Sequence, residues 1–124
     1  EVDAQSGPNY WASVASDCVA LTSGQTLDWG FSAVLVTGVT DVLCRPSVLY
    51  YSDAACTVRN GGLSWAGGLP IGSSWQSLFE ADAGTISETT ASGIFRMSCY
   101  SGSGDFTVRF DDGLFGENLV AVVP

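Results

Sequence analysis

Four tryptophans, thirteen carboxylates and four arginines are the side chains of this protein with the most chemistry to offer, because the chain has no lysine and no histidine. Without histidine it has no Ser-His-Asp or Cys-His arrangement, no histidine-ligated zinc and no facial triad. Without lysine it forms no Schiff base and no phosphate-binding loop of the Walker type. What remains is acid and base work by paired Asp or Glu. Asp105, Asp111, Asp112 and Glu117 fall near the ends of the last candidate strands, and Glu80 with Asp82 forms a second local pair. A glycosidase holds two carboxyls about 5 to 10 Å apart across a cleft. No sequence fingerprint surrounds either group, so solvated surface carboxylates are the default and the protein reads as a non-enzyme. No D-x-D-x-D-G loop is present, so no metal and no cofactor are expected.

Trp11, Trp29, Trp65 and Trp75 raise the question of sugar binding. A pyranose packs its C–H face on a flat indole, and its hydroxyls need polar side chains around the rim. Trp65 is the candidate platform, because it sits in a glycine-rich stretch with Arg59 and Asn60 close by in sequence. The alternative is that Trp65 folds down over the core and the other three tryptophans are core or rim residues. Arg45, Arg59, Arg96 and Arg109 are scattered along a chain of net charge -9. Nucleic acid is therefore a poor partner, and several of the arginines are expected beside carboxylates in exposed pairs that need no functional reading.

Elements that would position these groups are strands. The chain has 124 residues, 46% hydrophobic and 14% charged, with fifteen glycines, which suits a single domain, residues 1–124. Runs between turn signals predict strands at Trp11 to Leu21, Gly30 to Val39, Ser47 to Tyr51, Cys56 to Arg59, Ile94 to Tyr100, Phe106 to Phe110 and Leu119 to Val123. Alternation puts Phe106, Val108 and Phe110 on one buried face. The linker Ser101 to Asp105 predicts a hairpin over Ile94 to Phe110, with Arg96 and Arg109 in its two strands. In the turn Ser52 to Ala55, Asp53 is placed to hydrogen-bond the local backbone. Asn60 to Gly72 reads as a loop, and Ser73 to Ala81 as one short helix, since Trp75, Leu78 and Phe79 fall at helical spacing. The expected fold is an all-β antiparallel sandwich or barrel of about seven to nine strands with at most that one helix.

Cys18, Cys44, Cys56 and Cys99 contain no CxxC pair and read as two disulfides, with all three connectivities open. Disulfides imply an oxidising compartment, and a chain that starts at Glu1 reads as a mature secreted protein. Apolar stretches such as Ala33 to Val36 and Leu119 to Val123 are far short of the ~20 residues that cross a bilayer as a helix, so no membrane insertion is expected. The all-apolar run at Leu119 to Val123 should be buried on both faces or pair across a homodimer contact.

The segment Val48 to Thr57, VLYYSDAACT, resembles the strand-turn-cysteine pattern of small secreted fungal proteins, among them elicitors and immunomodulatory proteins. Cerato-platanins differ by a closely spaced cysteine pair and hydrophobins by eight cysteines. The paired cysteines, the missing catalytic bases and the supply of tryptophans point to a secreted recognition protein, an effector, defence or immunomodulatory protein, that binds a cell-surface receptor or glycan. A carboxylate-dependent polysaccharide hydrolase and a self-associating surface-coating protein are the alternatives.

Overall fold

A computed structural model describes residues 1–65, 67–115 and 120–121. Among the described residues eleven strands run in chain order: β1 (Val2–Gln5), β2 (Trp11–Ala15), β3 (Val19–Ala20), β4 (Thr26–Gly38), β5 (Val42–Tyr51), β6 (Arg59–Ser64), β7 (Leu69–Pro70), β8 (Gln76–Thr85), β9 (Ser92–Ser101), β10 (Phe106–Phe115) and β11 (Val120–Ala121). The only other regular element among the described residues is a single 3-10 turn at Pro8–Tyr10. All pairings are antiparallel. One five-stranded sheet has the order β1-β10-β4-β8, with β11 also on β10. A six-stranded sheet has the order β2-β9-β5-β6, with β3 also on β9 and β7 also on β5. The two sheets pack as the expected sandwich.

Each sheet buries alternate side chains, as period-two geometry requires. Leu27, Trp29, Phe31 and Ala33 from β4 and Phe106, Val108 and Phe110 from β10 supply the core from the five-stranded sheet. Val42, Cys44 and Val48 from β5 and Phe95, Met97 and Cys99 from β9 meet them from the other. The Trp29 ring lies 6.1 Å from that of Phe95 across the interior. Both disulfides form, Cys18–Cys56 and Cys44–Cys99. The second joins residues directly opposite each other on β5 and β9.

Several expected elements differ, each for a physical reason. Ser73 to Ala81 is not helical: β8 pairs with β4, which places Leu78 inward and leaves Phe79 exposed over Gly30. Sheet hydrogen bonds outweigh an accidental helical spacing there. Ile94 to Phe110 is not a hairpin, because β9 and β10 belong to opposite sheets and the Ser101–Asp105 connection crosses between them. Asp41 holds that crossing, accepting hydrogen bonds from the hydroxyls of Ser101 and Ser103, each at 2.7 Å. The 60–72 stretch is not one loop: β6 and β7 lie within it as edge strands on β5, where glycine is tolerated.

Cys56 to Val58 is a turn, because the Asp53 carboxylate takes the N–H groups of Thr57 and Val58 that a strand would use. The candidate strand from Trp11 breaks after Ala15, and β2 and β3 rejoin the same partner, β9. Pro46 sits inside β5 without losing a bond to β9. Its carbonyl accepts from Trp65 N–H, so the missing donor faces the gap between β6 and β7. Of the C-terminal run, β11 pairs with β10 in the same chain, while Leu119, Val122 and Val123 lie outside the described residues.

Candidate functional site

Parity along β5 and β9 decides which side chains leave the core. With Cys44 and Cys99 inward and opposite each other, Arg45, Ser47 and Leu49 on β5 and Arg96, Ser98 and Tyr100 on β9 point outward. Register places Arg45 opposite Ser98 and Ser47 opposite Arg96, so the two arginines are diagonal neighbours. On the far side of β9, Trp11 of β2 stands opposite Tyr100. The two rings stack, with centroids 4.9 Å apart and planes at 27°. The Arg45 guanidinium lies 5.4 Å from the Trp11 centroid and 5.6 Å from that of Tyr100. A cation at that range is attracted to both ring faces. Trp11 remains 41% exposed.

This cluster borders an open groove of about 470 Å³ that runs across the outer face of the six-stranded sheet. Ser47, Ser64 and Ser98 offer hydroxyls there, and Arg45, Arg59 and Arg96 offer guanidinium groups. Arg59 folds back along its own strand, its Nε 3.4 Å from the Gly61 carbonyl oxygen. A Cβ at Gly62 would come within 3.7 Å of the Arg59 terminal nitrogen and 2.9 Å of the Val48 carbonyl oxygen. Glycine at 62 thus keeps that end of the groove clear.

Charge is divided between the layers. Strands of the six-stranded sheet carry Arg45, Arg59 and Arg96 and no carboxylate, whereas those of the five-stranded sheet carry Asp3, Asp28, Glu80, Asp82, Asp111 and Asp112 with Arg109 as their one cation. Arginines scattered in sequence are therefore gathered in space, away from the carboxylates beside which several were expected. Among the described residues, Arg109 is the arginine with carboxylate partners, donating to Asp3 at 2.7 and 3.0 Å. That contact holds the Asp3 carboxyl below its ordinary range. Among the described residues, no carboxylate lies within ion-pair distance of Arg45, Arg59 or Arg96.

The residues singled out from sequence do not form one site. Arg59 lines the groove. Asn60 instead donates its side-chain amide to the Thr89 carbonyl at 2.9 Å. Trp65 is half-buried and packs against the core cluster, its indole beside Gly67. Trp29 is fully buried, and its indole N–H has no hydrogen-bond partner among the described residues. Trp75, not Trp65, is the indole beside Asp111, in a smaller hollow on the five-stranded sheet that also includes Glu1. Asp105 lies 3.4 Å from the Ser6 hydroxyl, and Asp82 donates its backbone N–H to Asp28. The Asp112 side chain and Glu117 lie outside the described residues. No group of three or more metal-ligating side chains occurs among the described residues.

No protein-family model matches the chain, and no curated protein matches it. Solved structures share its architecture. A family 16 carbohydrate-binding module, Module-2, superposes with a TM-score of 0.59 at 16% identity, covering 91% of this chain and 74% of that one. A chain of infectious bursal disease virus, Gt strain, gives 0.58 at 9% identity over 88% of this chain. This protein spans only 28% of that viral chain. A carbohydrate-binding module of the β-sandwich superfamily, from work on promiscuous specificity, gives 0.57 at 14% identity over 86% of this chain and 42% of its own. At these identities the likeness is one of fold.

Proposed function

We propose that the protein binds carbohydrate through the outer face of its six-stranded sheet and leaves the glycan intact, acting as a secreted recognition protein at a cell surface. The observation that carries this reading is the Trp11–Tyr100 stack with Arg45 against both rings, set beside a hydroxyl-lined groove. An exposed indole offers a face to a pyranose ring, and the serines and arginines offer partners to its hydroxyls. Support also comes from the shared fold with carbohydrate-binding modules. Binding without cleavage is favoured because none of the described residues lining the groove is acidic, so a carboxylate-dependent hydrolysis finds no acid and no base among them. Secretion is supported by the two disulfides, which persist in oxidising compartments.

The test is titration with a panel of oligosaccharides, following tryptophan fluorescence. Wild type and Trp75→Ala should bind alike and Trp11→Ala should lose about tenfold or more in affinity, the loss of one stacked aromatic contact. Equal binding by Trp11→Ala, or release of reducing ends during the titration, would overturn the reading.

A further inference from the structure

We propose that the groove selects glycans bearing anionic groups, uronate carboxylates or sulfates, over their neutral counterparts; this rests on the carbohydrate-binding reading above. Three of the four arginines of the chain line one groove, and no described carboxylate is close enough to neutralise them. In a protein of net charge -9, cations kept clear of abundant acids are a selective arrangement. A guanidinium presents a planar fork that matches a carboxylate or sulfate, so an anion in the groove gains charge-assisted hydrogen bonds. Arg45 and Arg96 are diagonal neighbours on paired strands, and Arg59 reaches over Gly62 from the next strand. Nucleic acid fits less well: tight binding to it recruits many phosphate contacts, and the groove offers three arginines.

The experiment compares matched probes by calorimetry: oligogalacturonates against their methyl esters, and heparin oligosaccharides against their desulfated, N-acetylated forms, with a single-stranded DNA of similar length as a third probe. The acidic member of at least one pair should bind about tenfold or more tightly than its neutral partner, as expected for hydrogen bonds to charged groups. Added salt should weaken that binding, Arg96→Gln and Arg59→Gln should each reduce it, and Arg109→Gln on the opposite sheet should leave it unchanged. Neutral probes that bind as well as acidic ones would overturn the charge selection while sparing carbohydrate binding. No binding by any glycan would overturn both. DNA that binds more tightly than the acidic glycans would assign the arginines to a different polyanion and overturn the inference.

Discussion

Asp53 shows how one side chain sets local structure and acid stability together. Its carboxylate accepts from the Thr57 hydroxyl and from the backbone N–H groups of Val58 and Thr57, and these bonds hold its pKa down to about 2 from its ordinary value of 3.8. A depressed carboxyl pKa contributes stability that is present above the unfolded value and lost as pH falls through the folded one. Stability should therefore fall between about pH 4 and pH 2, with Asp41 and Asp3 shifted in the same direction. Urea unfolding across that range should show a shallower acid decline in Asp53→Asn than in wild type. Trp29 gives a second residue-level prediction. Replacing a buried tryptophan by alanine costs about 3 to 5 kcal/mol, whereas Trp29→Phe keeps a ring and removes an unpartnered N–H whose burial is itself unfavourable, so a loss below about 2 kcal/mol is expected. Chemical denaturation in which Trp29→Phe lost as much as Trp29→Ala would contradict this. The backbone role of Asp53 was legible in its turn sequence, since an Asp before Ala-Ala-Cys-Thr favours such bonds. The outward placement of Trp11 was not, because a lone indole at a strand start looks the same whether it covers a core or faces water.

At the level of elements, the two disulfides close loops of similar length, with sequence separations of 38 and 55 residues. Chain-entropy reasoning assigns each about 4 kcal/mol. They differ in surroundings: Cys44 and Cys99 are fully buried, while Cys18 is exposed. Cys44→Ala with Cys99→Ala should thus destabilise more than the Cys18, Cys56 pair of alanines, because it also leaves a void. Chemical denaturation of the two double variants decides this, and the reverse order would contradict it. Gly38→Ala should cost more than about 1 kcal/mol, because Gly38 ends β4 at φ +112° and a Cβ there would collide with the backbone of Asp105 and Phe106. The alternation that buries Phe106, Val108 and Phe110 was plain from sequence. Strand partners were not: a short linker between two apolar runs is equally consistent with a hairpin and with a crossing between sheets. The groove was hidden for the same reason. Once Cys44 is known to face Cys99, Arg45, Ser98 and Tyr100 follow as outward neighbours, but the cysteine spacing alone leaves that pairing open.

Across the whole molecule, covalent ties are concentrated on one side. Cys44–Cys99 joins β5 to β9, and Cys18–Cys56 links the β2–β3 connection to the turn before β6, so both bridges serve the six-stranded sheet. Hydrogen exchange should be slowest in β5 and β9 and fastest in the outer strands β1 and β8 of the other sheet, which lack such ties. Reduction should narrow that difference, and unchanged exchange in β5 and β9 after reduction would show that packing alone sets the order. The same bridges fix the register on which the arginine and aromatic positions depend, so the groove keeps its shape without a ligand. The first and last described strands, β1 and β11, both border β10 in the five-stranded sheet. A tag, graft or surface linkage placed before β1 is therefore anchored to the layer opposite the arginines, and a molecule immobilised that way presents its groove away from the support.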